Sequence, residues 1–136
     1  MSAITVRHHE GDRFVISARG HSFLVDQPTE SGGTDIAPTP TELFVASLAS
    51  CVAHYAHRYL ARHDLPTEGL VVTASYGMEL RPARVGKIDL EIELPAGVPE
   101  ERRDALLAVA SHCTVHNTLE DPPDIKVAYA AEVAAV

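Results

Sequence analysis

Thr39-Pro40-Thr41-Glu42-Leu43-Phe44-Val45-Ala46-Ser47-Leu48-Ala49-Ser50-Cys51-Val52-Ala53 is the stretch on which the reading of this chain turns. Its opening satisfies several helix-start rules together: a threonine able to cap, proline at the first helical position, and a glutamate placed to complete a capping box. From Leu43 to Ala53 every side chain is apolar or small, which predicts a helix buried on all of its faces. Polar residues return only at His54, and Leu65-Pro66 ends the element about six turns after it began. The small side chains Ala46, Ser47, Ala49, Ser50 and Ala53 allow another helix or a sheet to approach closely. Cys51 falls mid-helix.

On the N-terminal side, residues 2 to 26 read as an antiparallel meander. Ile4 and Val6 alternate with polar neighbours, Phe14-Val15-Ile16 follow the Glu10-Gly11-Asp12 turn, and Phe23-Leu24-Val25 follow Arg19-Gly20. A loop rich in Pro, Ser, Thr and Gly joins this meander to the helix between Asp26 and Pro38. On the C-terminal side, Leu70 to Leu80 and Arg84 to Leu94 read as paired strands. In the second, Ile88, Leu90, Ile92 and Leu94 alternate with Asp89, Glu91 and Glu93, so one face is buried and the other meets water. Pro99-Glu100-Glu101 opens another helix, with Cys113 at or near its end. A short Thr114 to Leu119 segment then leads to Asp121-Pro122-Pro123 and to a last strand in which Ile125, Val127 and Tyr129 alternate. The order βββαββααβ is an α+β pattern with helices gathered on one side of the sheet.

A chain of 136 residues and 14.6 kDa fits one domain, residues 1–136. Hydrophobic residues at 46% and charged residues at 22% are ordinary globular usage, which excludes a disordered or fibrous chain. The net charge of −8 argues against nucleic acid and anionic membrane as partners. No stretch approaches the roughly 20 apolar residues of a membrane helix, and no signal-peptide core precedes the first charges. The expected compartment is the reducing cytoplasm, where a cysteine pair points more often to redox chemistry or metal than to a structural disulfide.

The chain has 2 cysteines, Cys51 and Cys113, and they admit three readings. They can be buried fillers, since free cysteine packs as a small hydrophobe. They can be a redox pair, in which one thiolate attacks a peroxide and the second condenses with the sulfenic acid. Or they can be metal ligands: Cys51-x-x-His54 and Cys113-x-x-His116 each place two ligands on one helical face, and together they offer a Cys₂His₂ set for zinc. His54, one turn after Cys51, can also lower that thiol's pKa as an imidazolium, and His112 and His116 flank Cys113. Tyr55 reads as a packing residue.

Three runs carry a family resemblance: Val25-Asp26-Gln27-Pro28, Gly32-Gly33-Thr34-Asp35, and Pro38-Thr39-Pro40-Thr41-Glu42-Leu43 through Ala46-Ser47-Leu48-Ala49-Ser50-Cys51. These resemble the signature of the OsmC/Ohr family, and Cys113-Thr114-Val115-His116-Asn117-Thr118-Leu119 resembles its second-cysteine motif. The resemblance implies an OsmC-like fold, antiparallel sheets around a long buried central helix, in an intertwined homodimer. It implies a thiol peroxidase that reduces organic hydroperoxides, or hydrogen peroxide less efficiently. Cys51 is then the peroxidatic nucleophile and Cys113 the resolving thiol, with regeneration by a dithiol such as a lipoylated protein or a thioredoxin and with no cofactor. It further implies an activating arginine from the N-terminal strands, for which Arg13 and Arg19 are the candidates, and a glutamate from the start of the cysteine helix, for which Glu42 is the candidate. Glu42 precedes Cys51 by nine residues. In a straight helix that is about 13.5 Å of rise and half a turn out of phase, so it does not reach its own Cys51 directly. The alternative is a binding or Cys/His metal-holding module of the same fold without efficient peroxidase activity.

Overall fold

The computed structural model describes residues 1–130. Its element order is β1 (Thr5–Glu10), β2 (Arg13–Ala18), β3 (His21–Val25), α1 (Pro40–Arg62), β4 (Val71–Glu79), β5 (Arg84–Glu93), α2 (Arg103–Ala110) and α3 (Thr114–Glu120), with short 3₁₀ turns at Thr29–Ser31 and Glu100–Arg102. The strands form two antiparallel sheets, β1-β2-β3 and β4-β5. This is the expected α+β architecture as far as α3.

The helix that dominates the chain starts where its capping chemistry dictates. Thr39 Oγ1 accepts from Glu42 N at 3.1 Å, and Glu42 Oε1 accepts from Thr39 N at 2.8 Å, a complete capping box with Pro40 at the first helical position. The helix runs 23 residues. It is not buried on all faces, as its composition suggested. Val45, Leu48, Val52, Ala56, Tyr59 and Leu60 form one buried stripe, while Phe44, Ala46, Ser47 and Ser50 are exposed. Composition reports that a surface is apolar, but not whether its own chain covers it.

The core lies between that stripe, the inner face of β4-β5, and α2. Val72 pairs with Ile92, Ala74 with Leu90 and Tyr76 with Ile88, so their side chains share a face, and Val72, Ile88, Leu90 and Ile92 pack against the helical cluster. The opposite face carries Asp89, Glu91 and Glu93 against Ser75, Thr73 and Val71, the solvated stripe that the alternation predicted. Leu60 and Leu106 are almost wholly buried, each worth roughly 1.5–3 kcal/mol relative to exposure.

The meander stands apart from this core. Cross-strand pairing puts Val6, Ile16 and Phe23 in one row and His8, Phe14 and Val25 in the next, on one face of the sheet. That face is apolar and open: Val6, Phe14 and Phe23 are exposed. The meander's extensive contacts are among its own strands, whereas α1 packs on β4, β5, α2 and α3.

Between meander and helix, the loop is organised around one buried carboxylate. Asp26 Oδ1 accepts from Gln27 N at 2.7 Å, and Oδ2 accepts from Thr34 Oγ1 at 2.7 Å and Ile36 N at 3.2 Å. Burial alone would raise the pKa of Asp26, but the Thr34 hydroxyl and the backbone N–H groups of Gln27, Ile36 and Thr34 outweigh it and hold it down to about 2. Gly33 is required here because a Cβ would strike the Gln27 carbonyl. Asp26 N donates to Pro38 O at 3.0 Å, which closes the loop and aims the chain into the helix cap.

The last expected strand does not form. Residues 122–130 make no ladder, and Ile125, Val127 and Tyr129 are 83%, 92% and 102% exposed. Alternation marks a segment able to pair, but a strand exists only against an edge, and none among the described residues meets it.

Candidate active site

Cys51 lies in the middle of α1 and is half-buried; Cys113 is fully buried in the core cluster that Cys51 packs against. Both are free thiols. Cys113 follows α2 after a two-residue turn and serves as the N-cap of α3, its Sγ accepting from His116 N at 3.4 Å. The fold thus brings together two residues separated by 62 positions of sequence. Burial pushes the Cys113 thiol above its ordinary pKa, the N–H groups of His116 and Val115 pull the other way, and the adjacent Cys51 thiol pushes it further up. Adjacent thiols of this kind are competent to form a disulfide when one is oxidised.

A hydrogen bond flanks the pair. Tyr55, one turn along α1 from Cys51, places its hydroxyl 2.7 Å from Oγ1 of Thr114, the residue after Cys113. Tyr55 also packs against the core cluster, the role its place in the helix predicts. No local signal identifies a bond between residues 59 apart.

The remaining candidates lie elsewhere. Glu42 is occupied in the capping box. Arg13 pairs with Glu10 at 3.0 Å within the β1–β2 hairpin, and Arg19 is exposed at φ 51° in the β2–β3 turn. His54 is exposed, edge-on to the Tyr55 ring at 6.0 Å. His116 turns its ring to Glu120 at 3.1 Å. His112 bonds the Ala108 carbonyl through Nδ1 at 2.7 Å. Cys51, His54, Cys113 and His116 do not converge as a ligand set: among the described residues no group of three or more His, Cys, Asp or Glu is placed to hold a metal ion. No described helix is long and apolar enough to cross a membrane.

The family model for OsmC-like proteins matches residues 32–128, from the glycine pair of the loop through both cysteines. The chain belongs to the OsmC-like family. Solved structures agree on the fold. A Psychrobacter arcticus protein provisionally assigned to osmotic stress and detoxification responses superposes on the OsmC-like chain with a TM-score of 0.80 at 20% identity, covering 87% of this chain and 88% of the other. An OsmC-like protein from Mycoplasma pneumoniae gives 0.76 at 17%, covering 90% and 89%. An organic hydroperoxide resistance protein from Elizabethkingia anophelis, with thiocyanate bound from the crystallisation medium, gives 0.66 at 22%, covering 90% and 91%. No curated protein matches the sequence.

Proposed function

We propose that this OsmC-like protein is a thiol-dependent peroxidase that reduces organic hydroperoxides, or hydrogen peroxide, in the cytoplasm. The observation that carries the reading is the meeting of two free thiols, one partly accessible on α1 and the other buried beside it. The Cys51 thiolate attacks one peroxide oxygen, the O–O bond breaks, and the alcohol leaves with a proton, giving a sulfenic acid. The Cys113 thiolate attacks that sulfur, the S–O bond breaks and water leaves, giving a Cys51–Cys113 disulfide. A dithiol, such as that of a lipoylated protein or a thioredoxin, returns the pair to the reduced state. The working unit is an intertwined homodimer. Its support is the open apolar face of the meander, with Val6, Phe14 and Phe23 exposed, and the uncovered small-residue face of α1. In that dimer the meander's Arg13 or Arg19 and the partner's cysteine helix are the pieces to be combined.

The test is one equivalent of cumene hydroperoxide or hydrogen peroxide added to reduced protein, followed by free-thiol counting and mass measurement under denaturing conditions. Rapid loss of both thiols with a drop of about 2 Da, absent in Cys51→Ser, is the expected result. Thiols unchanged after minutes at neutral pH refute the peroxidase, and a monomeric mass in solution refutes the dimer. The placement of Glu42, Arg13 and Arg19 away from the thiols within one chain favours a second reading, a binding module of the same fold, which the unchanged-thiol outcome would select.

A further inference from the structure

The hydroxyl of Tyr55 and Oγ1 of Thr114 sit 2.7 Å apart, and among the described residues this is the one hydrogen bond that joins α1 to α3. Its position is specific. Tyr55 lies four residues after Cys51, on the same helical face and about 6 Å along the axis. Thr114 is joined directly to Cys113 and is the first residue of α3. The bond therefore clamps the two segments that carry the thiols, within one turn of the thiols themselves. Val115 of α3 packs against the core cluster that α1 builds, and apolar contact of this kind resists separation but permits sliding. A directional bond next to the sulfurs fixes the register that packing leaves loose.

We propose that Tyr55 and Thr114 are a positioning pair that holds Cys51 and Cys113 in register for disulfide formation and thereby sets the reduction potential of the couple. Its use in turnover rests on the peroxidase reading; its effect on the thiol pair does not. In the resolving step the clamp keeps the Cys113 sulfur beside the Cys51 sulfenic acid, so that the S–S bond forms and the S–O bond breaks before a second peroxide oxidises the sulfenic acid to a sulfinic acid. Losing the clamp lowers the effective concentration of one thiol at the other. The bond is already made in the dithiol, so the equilibrium moves only by what the bond gains in the disulfide; the ceiling is the worth of one net hydrogen bond, about fivefold, or about 20 mV for this two-electron couple.

Equilibration in reduced and oxidised glutathione, read as the disulfide fraction after alkylation, measures this without peroxide. Tyr55→Phe and Thr114→Val are each expected to shift the equilibrium measurably toward the dithiol, by up to about fivefold, raising the potential by up to about 20 mV. Thr114→Ser, which keeps the hydroxyl, stays with the wild type, and the double variant goes no further than either single change. Wild-type behaviour in Tyr55→Phe, or a Thr114→Ser shift equal to that of Thr114→Val, overturns the pair. Should Tyr55→Phe fail to fold, the Thr114→Val and Thr114→Ser comparison decides the question. A wild type silent to peroxide but with the expected glutathione shifts refutes the peroxidase and keeps the clamp. A peroxide-active wild type without those shifts does the reverse.

Discussion

The unequal settings of the two thiols predict the order in which they react. The perturbation is limiting iodoacetamide at pH 7, 8 and 9, added to fully reduced protein. Cys113 is 0% exposed and its thiol is raised above the ordinary 9.0, first by burial, so at pH 7 fewer than about one in a hundred is ionised. A fully buried group also waits for an opening of its surroundings before any reagent reaches it. The two factors multiply, whereas Cys51 is partly exposed and needs no comparable opening. Cys51 is therefore expected to be alkylated at least about tenfold faster at pH 7, and the rate at Cys113 to keep rising from pH 7 to pH 9, as the thiolate fraction of a thiol raised above its ordinary value does. Peptide mass spectrometry on timed quenches reads both rates in one sample, and Cys51→Ser isolates the slow one. Equal rates, or Cys113 modified first, would refute the reasoning and with it the assignment of Cys51 as attacking thiol.

Asp26 makes stability depend on acid. Its folded pKa of about 2 lies below the ordinary 3.8, so its contribution is fully present above 3.8 and is lost as pH falls through about 2. Asp26→Asn should melt lower at pH 7 and lose less between pH 4 and pH 2 than the wild type does; parallel melting curves across that window overturn the role of Asp26 in holding the loop. The capping box predicts a contrast in urea unfolding. Thr39→Ala should cost about 1 kcal/mol, but Glu42→Gln less than about 0.5 kcal/mol, because glutamine completes the same box. Equal losses would mean that Glu42 matters for its charge.

What was legible in the sequence was what is local. The capping box at Thr39 and Glu42 needs only a four-residue window, and the face assignment of β5 needs only the alternation from Ile88 to Leu94, so the structure places both where the pattern put them. The non-local features were out of reach. Nothing near Tyr55 announces Thr114, and Asp26 reads as a loop residue until the loop folds back and surrounds its carboxylate with donors. The segment from Ile125 to Tyr129 has the alternation of a strand but finds no edge among the described residues, and the helix from Leu43 to Ala53 has the composition of a buried helix but keeps an open face.

In the proposed homodimer those two departures share one physical cause. A pattern of apolar residues records the surface that must leave water, but it is silent on which chain removes it. The meander with its open apolar face, the uncovered side of α1 and the unpaired terminal segment are all surfaces that a single copy leaves wet. Arg13 and Arg19, candidate activators of the thiol, lie on that same meander. Once one thiol is oxidised, a thiol pair needs only proximity to form a disulfide, and α1 with α3 supplies that within one chain. Fast attack on a peroxide needs in addition a positive charge beside the thiolate. In the peroxidase reading, therefore, the capacity for a disulfide belongs to the subunit and the reactivity belongs to the dimer.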